Sequence, residues 1–172
     1  METNSEKIEK LFTQSSDVIL KSKILSEKID NTISLIISSL ENKNKILIFG
    51  NGGSAADAQH MAAEFVSRYL IERLSLPAIA LTTDTSILTS IGNDYDFNKI
   101  FSRQCESLVK SGDVIIAIST SGKSKNVILG IEEAKKHGAK IISLTGNDGG
   151  ILNEKSDICL EIPSSETPRI QE

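Results

Sequence analysis

The sequence predicts an α/β fold, a doubly wound parallel sheet in three α/β/α layers with helices at its N-terminus. Short apolar runs alternate with segments of helical period from about residue 45 onward. The runs have no polar face, which is typical of parallel strands that helices cover on both sides. Two of them, 46–49 and 114–118, lead directly into loops of small residues that open the next helix.

The individual elements follow from local patterns. Apolar residues recur with helical spacing over 5–22 and 26–42, which predicts two amphipathic helices before the sheet. The core, about 45–172, is then predicted as strand 45–49, helix 54–69, strand 78–81, helix 85–92, helix 97–110, strand 113–118, helix 124–137, strand 140–144 and strand 158–162. Glycines indicate a turn at 146–150 and a helix end at Gly138. We expect residues 1–172 to form a single domain.

The last residues have the pattern of a helix start. Thr167 is the expected N-cap and Pro168 the first helical residue. The sequence reaches only Glu172, so we expect this final helix to be cut short. A helix of one turn is not stable by itself.

Composition argues against several classes of protein. Lys and Arg total 19 against 23 Asp and Glu, a net charge of −4 without a basic block, so no nucleic-acid partner is expected. The N-terminus lacks the apolar core of a signal peptide, and no stretch approaches the ~20 apolar residues of a membrane span. We therefore expect a cytoplasmic protein with no membrane partner. Cys105 and Cys159 form no CxxC pair and are predicted to be buried thiols.

The two small-residue loops, Gly50–Ser54 and Ser119–Ser124, predict anion sites. A helix that starts where a strand ends presents backbone N–H groups to one point, and small side chains let an anion approach them. The helix after the first loop carries His60 and Glu64, which lie four residues apart and share a helix face. A metal-type ligand and a carboxylate beside two anion sites indicate an enzyme that acts on a phosphorylated metabolite.

Generic motifs compete for the same residues. Residues 117–124 approach a nucleotide P-loop, but alanine replaces its first glycine and no strand ends in a magnesium-binding Asp. Residues 50–55 approach a dinucleotide fingerprint but lack its acidic partner about twenty residues on. His60 and Glu64 could be a solvated helix pair, and Asn93-Asp94 a simple turn. His137 is expected to be a surface residue near a helix end.

Several segments together resemble one family. They are Phe49-Gly-Asn-Gly-Gly-Ser-Ala-Ala-Asp-Ala-Gln-His60, Ala62-Ala-Glu64, Arg68-Tyr69, Gly92-Asn-Asp94, Ser119-Thr-Ser-Gly-Lys-Ser124, Leu144-Thr-Gly146 with Gly149-Gly150, and Arg169-Ile-Gln-Glu172. In this order they resemble the phosphoheptose isomerases of the sugar-isomerase (SIS) superfamily. The resemblance extends from about residue 45 to the end. The serine loop occurs across SIS domains, whereas the run from Gly50 to Glu64 is much more specific.

The resemblance implies a set of site residues. The substrate would be sedoheptulose 7-phosphate, isomerised to D-glycero-D-manno-heptose 7-phosphate for ADP-heptose and lipopolysaccharide synthesis. Its phosphate would contact Ser119, Thr120, Ser121 and Ser124, and its sugar chain Asn51, Gly52, Gly53, Asn93 and Asp94. Arg68 and Gln171 would be further substrate contacts. The resemblance also implies a homotetramer whose subunits share active sites.

The resemblance further implies one zinc ion per subunit, held by His60, Glu64 and Gln171. Glu64 would be the general base. A fourth ligand, a histidine that also acts as an acid and base, would lie eight residues beyond Gln171, and the printed sequence ends before that position. We therefore expect substrate binding with poor turnover.

Two other classes of protein remain open. A non-catalytic SIS scaffold, similar to the DnaA initiator-associating protein, shares the histidine and the serine loop but lacks the glutamate found here at position 64. A sugar-phosphate-sensing SIS module is the other candidate, although such modules usually come joined to a second domain.

Overall fold

Five parallel strands form one sheet in the order β2-β1-β3-β4-β5, as the computed structural model of residues 2–146 and 148–172 describes it. The parallel sheet predicted from the apolar runs is confirmed. The strands are β1 (Ile46–Gly50), β2 (Ala78–Ala80), β3 (Val114–Ile118), β4 (Lys140–Thr145) and β5 (Ile158–Glu161).

Eight α-helices surround or precede this sheet in the described residues. They are α1 (Asn4–Lys21), α2 (Ser26–Glu41), α3 (Gly53–Val66), α4 (Thr85–Asp94), α5 (Ser102–Leu108), α6 (Lys125–Lys136), α7 (Gly150–Lys155) and α8 (Thr167–Gln171). The two N-terminal helices are confirmed, joined by a 3-10 turn at Ser22–Leu25. No helix formed by residues 2–146 and 148–172 combines the length and the apolarity needed to cross a bilayer.

The central strands are buried on both sides, which explains why they lack a polar face. Alternate side chains of β1 enter two separate clusters, because successive residues of a strand point to opposite faces. Ile46 and Ile48 pack with α2 and α3. Leu47 and Phe49 pack with α5, α6 and α7, where Phe49 stacks on Phe101 with ring centroids 4.8 Å apart. Cys105 and Cys159 are buried thiols, as predicted.

The predicted helix 54–69 is too long at its C-terminal end. Helix α3 ends at Val66, so Arg68 and Tyr69 lie in the segment that follows it. The chain then takes a left-handed turn at Leu70, where φ is 60°. The guanidinium of Arg73 donates to the carbonyl oxygens of Glu64 (2.6 Å) and Phe65 (2.9 Å). It thereby satisfies acceptors that a helix end leaves without partners.

The predicted helix 97–110 is split. The Asp96 carboxylate accepts from the Asn98 N–H at 2.7 Å and fixes a 3-10 turn at Phe97–Lys99, before α5 begins at Ser102. At the other end Lys110 donates its N–H to Asp113 at 2.8 Å, and α5 has already ended at Leu108. Local side-chain acceptors of this kind compete with the helical hydrogen bonds.

Two short helices near the C-terminus differ from prediction. The glycines at 146–150 predict only a turn, but α7 begins at Gly150 because Leu152 is completely buried behind it. Asn147, inside that predicted turn, lies outside the described residues. Helix α8 has Glu166 as its N-cap, so Thr167 is already helical and the predicted boundary is one residue late. Tertiary contacts hold this single turn, including a 3.2 Å hydrogen bond from Arg169 to the carbonyl oxygen of Leu11.

Candidate active site

The two predicted anion loops lie side by side. Gly50 and Ile118 are register partners, so β1 and β3 end at the same height on the sheet. Their loops open at the carboxyl edge, where parallel sheets of this kind bind ligands. Asn51 in the first loop and Asn126 in the first turn of α6 exchange two amide hydrogen bonds of 2.8 and 2.9 Å.

The second loop is rich in hydroxyls that face one another. Ser119 is buried and its Oγ lies 3.1 Å from the Oγ of Ser124, the N-cap of α6. Ser121 is exposed, and its Oγ accepts from the Lys123 N–H at 3.2 Å. A cavity of about 210 Å³ beside the loop is lined by Thr120 and Ser121, and not by Ser119 or Ser124. The first N–H groups of a helix have no intrahelical acceptor, so this loop and α6 can bind an anion.

The segment after β4 and the start of α7 hold the second loop in place. Gly146 donates its N–H to the Thr120 carbonyl oxygen at 3.0 Å, and Ile151 donates to that of Gly122 at 3.1 Å. Gly122 has a φ of +62°, and a Cβ there would collide with the carbonyl oxygen of Gly149. The close approach of the two backbones requires glycine at position 122.

His60 and Glu64 lie together on α3, as predicted. Their Nε2 and Oε1 atoms are 3.4 Å apart, and their side chains are 78% and 41% exposed. Both line a cavity of about 430 Å³ with Tyr69 and Arg73. Sequence reasoning missed Arg73, because a single basic residue in a loop carries no motif.

The 3.4 Å separation fits a shared zinc ion. Two donor atoms at about 2.0–2.2 Å from one tetrahedral zinc lie about 3.4 Å from each other. No group of three or more His, Cys, Asp or Glu side chains suited to a metal ion occurs among residues 2–146 and 148–172. The spacing is that of an ordinary pair four residues apart on a helix, and it is also compatible with two of the three protein ligands that a catalytic zinc uses.

Gln171 docks on the start of the same helix. Its Nε2 donates to Asp57, and its Oε1 lies over Gly53, where a Cβ would be 3.1 Å away. Partial burial raises the pKa of the Asp57 carboxyl, and the neighbouring His60 opposes that rise. Sequence reasoning missed Asp57 as a site residue. Its position between the glycine loop and His60 was the available signal.

Three cavities meet along this edge of the sheet. Asp57, Gln171 and Thr120 line a cavity of about 310 Å³. Thr120 also lines the 210 Å³ cavity at the serine loop, and Met61 lines both the 310 Å³ cavity and that of His60 and Glu64. The three cavities are therefore neighbours that share lining residues, and most of the side chains around the 310 Å³ cavity are apolar.

The structure does not bring every predicted residue to these three cavities. Arg68 is exposed and pairs with Glu72 at 2.8 Å. Asn93 donates to Asp94 at 2.8 Å in the last turn of α4, about 12 Å of helix beyond its start. None of these residues lines the three cavities, and the same is true of five other predicted contacts: Asn51, Gly52, Gly53, Ser119 and Ser124.

Comparisons with known proteins agree with this geometry. The SIS domain matches residues 6–146. A phosphoheptose isomerase of Aliarcobacter butzleri is 55% identical over 148 residues, which are 86% of this chain and 78% of that protein. One of Helicobacter pylori is 52% identical over 166 residues, 96% of this chain and 86% of that protein. The phosphoheptose isomerase structure from Neisseria gonorrhoeae superposes with a TM-score of 0.93 at 44% identity, covering 98% of this chain and 91% of that one. The chain therefore belongs to the phosphoheptose isomerase family of SIS-domain enzymes.

Proposed function

We propose that this protein converts D-sedoheptulose 7-phosphate into D-glycero-D-manno-heptose 7-phosphate. The observation that carries this proposal is that the helix of His60 and Glu64 and the serine loop follow two adjacent strands, β1 and β3, whose ends lie at the same height. A phosphate bound at the serine loop would leave the seven-carbon chain to extend toward α3, with its reacting carbons near Glu64. The product would enter ADP-heptose synthesis for lipopolysaccharide or another surface polysaccharide. Because sugar phosphates are cytoplasmic metabolites, we expect the protein to act in the cytoplasm.

The reaction moves protons only. A proton leaves C1 of the ketose and returns at C2, while a hydroxyl proton moves from O1 to O2. No oxidant or further reactant is needed. Glu64 is the proposed base that carries the carbon-bound proton, since its carboxylate lines a cavity that shares no residue with the cavity at the serine loop. A positioned acid–base group typically contributes ~10²–10⁴ in rate.

The remaining residues bind and orient the sugar. The proposed phosphate contacts are Ser119, Thr120, Ser121 and Ser124. By holding the phosphate far from the reacting carbons, they would orient the sugar. Asn51, Gly52 and Gly53 are proposed to contact the sugar chain. The position of this loop supports the proposal, because it adjoins the serine loop and opens at the same edge of the sheet.

We also propose that His60, Glu64 and Gln171 hold a zinc ion. The His60–Glu64 spacing supports two of these ligands, and Gln171 retains a free Oε1 lone pair because its Nε2 makes the contact with Asp57. When bound, zinc supplies Lewis-acid stabilisation of negative charge on sugar oxygens. The test is zinc binding measured by calorimetry, in which His60→Ala should abolish binding and His137→Ala should leave it unchanged.

The proposed assembly is a homotetramer with shared active sites. Helix α1 has no buried residue and exposes Phe12 at 73%, while Ile24 in the following turn is 75% exposed. Closed symmetric assemblies commonly bury surplus apolar faces of this kind. Asn93 and Asp94 line none of the three cavities of their own subunit, and we propose that they reach the site of a neighbour. Light scattering at micromolar concentration tests the assembly, and a monomer would contradict it.

The activity itself is tested by incubating the protein with sedoheptulose 7-phosphate in deuterated water. Proton NMR should show the aldose product with deuterium at C2, because the shuttled proton exchanges at an exposed carboxylate. Added zinc should increase the rate. If the protein binds the substrate but neither forms product nor exchanges the C1 proton, the scaffold or sensing alternatives become the better descriptions.

A further inference from the structure

We propose that Asn126 is a positioning residue that sets the orientation of the Asn51 side-chain amide toward the sugar. This inference rests on the proposed function, which has Asn51 contact the substrate. Asn126 is only 4% exposed and lies in the first turn of α6, just beyond the serine loop. It is therefore positioned to link the two loops without itself being a substrate contact.

The hydrogen bonds around Asn126 have a fixed direction. The Asn126 Oδ1 accepts from the backbone N–H of Val127 at 2.9 Å. A backbone N–H only donates, so the oxygen and nitrogen of the Asn126 amide cannot exchange places without leaving that donor opposite another donor. Burial makes such a mismatch costly, about 1–3 kcal/mol.

The Asn126 amide in turn fixes the orientation of the Asn51 amide. The Asn126 Oδ1 accepts from Asn51 Nδ2 at 2.9 Å, and Asn126 Nδ2 donates to Asn51 Oδ1 at 2.8 Å. With one N–H and one lone pair engaged on this side, Asn51 keeps one N–H and one lone pair for a ligand. Asn126 therefore determines which edge of the Asn51 amide offers a donor and which an acceptor.

The consequence concerns sugar hydroxyls rather than phosphate. An amide that flips freely presents either polarity and pays for its ordering when the ligand binds. An amide held by two hydrogen bonds is already oriented. Asn126 should thus contribute to the affinity for the heptose chain while leaving the anion site at the serine loop unaffected.

The experiment is a double-mutant cycle with Asn51→Ala, Asn126→Ala and both together, with calorimetry for sedoheptulose 7-phosphate and for inorganic phosphate. Each single change should weaken heptose phosphate binding about fivefold or more, the value of one net hydrogen bond. The double variant should bind no more than about twofold more weakly than Asn51→Ala, because Asn126 acts through Asn51. Affinity for inorganic phosphate should stay within about twofold throughout.

Two controls separate positioning from loss of structure. Gln104→Ala removes another buried amide, which bonds the carbonyl oxygens of Leu81 and Ile100, and should leave both affinities unchanged. If Asn126→Ala does not fold, Asn126→Ser replaces it, since a hydroxyl still accepts from N–H groups of the first helical turn.

The outcomes are distinguishable. If Asn51→Ala weakens heptose phosphate binding and the Asn126 change does not, the inference is wrong and the proposed function stands. Additive effects, or an equal loss of inorganic phosphate affinity, would also overturn it. If Asn51→Ala itself leaves heptose phosphate binding unchanged, the proposed sugar contact fails, and this inference fails with it.

Discussion

The two loops at the carboxyl edge of the sheet are built differently. The first loop is open at Gly52, which has a φ of +58° and where a Cβ would meet no atom within 4 Å, although a Cβ at Gly50 would crowd the Ser54 side chain. The second loop is enclosed, because Gly122 has nearly the same φ but lies directly against the Gly149 carbonyl oxygen. Both glycines have a positive φ, so the comparison concerns their packing. It indicates that the segment after β4 holds the turn of the second loop, while the turn that leads into the helix of Glu64 faces open space.

The largest expected effect is the loss of turnover when Glu64, on the helix that follows the first loop, is changed. Glu64→Gln keeps the size of the side chain but removes its basicity, so turnover should fall at least ~10²-fold. Affinity for sedoheptulose 7-phosphate should stay within about tenfold, because the proposed phosphate contacts lie in the serine loop. Turnover by NMR and affinity by calorimetry measure the two quantities. Glu106→Gln, an exposed carboxylate on α5, is the matched control. Near-normal turnover of Glu64→Gln would show that the base is another group.

The glycine pair tests the comparison directly. Gly52→Ala should cost about 1–3 kcal/mol in unfolding free energy from backbone strain alone. Gly122→Ala also needs a positive φ and adds a collision with the Gly149 carbonyl oxygen, and overpacking typically adds about 1–3 kcal/mol. Urea denaturation measures both variants. Equal losses of stability would mean that the second loop relaxes freely and is not enclosed.

The affinity for the substrate phosphate should depend on individual hydroxyls of the serine loop. Ser121→Ala should weaken sedoheptulose 7-phosphate binding by about 1.5–3 kcal/mol, the range for hydrogen bonds to charged groups. Turnover at saturating substrate should change less than affinity does. Calorimetry provides the measurement, and Ser102→Ala on α5 is the control. Unchanged affinity for Ser121→Ala would remove this residue from the phosphate contacts.

The smallest expected effect concerns alkylation of the Cys105 thiol in native protein, whose rate should be close to zero. Cys105 lies on α5 in the cluster that also contains residues of α6, and burial raises the pKa of its thiol to about 12. At pH 8 only ~10⁻⁴ of it is the reactive thiolate, the fraction rising tenfold per pH unit until the pKa is reached. Alkylation followed by mass spectrometry should leave Cys105 unmodified in native protein and modify it in urea. Rapid labelling of Cys105 in native protein would mean that the packing of α5 against α6 opens readily.

The sequence predicts the sheet well because its strands are simple. The fully apolar runs at β1 and β3 allow no other environment, and their register follows from the buried core. The site is predictable only where its residues share one local segment, as His60 and Glu64 do. Arg73 and Asp57 escape prediction because their roles come from contacts with the end of α3 and with Gln171. Helix α7 is missed because one buried side chain, Leu152, outweighs two glycines that indicate a turn.

The contact between Gln171 and Asp57 joins residues 114 positions apart. A ribosome adds about 5–20 residues per second, so Gln171 is synthesised roughly 6–23 s after Asp57. In that interval β3, β4 and β5 are synthesised in the order in which they lie beyond β1, each next to the previous strand. The contact between Gln171 and Asp57 therefore closes only after all five described strands of the sheet have been made. A nascent chain whose sheet has formed would lack this contact until α8 emerges.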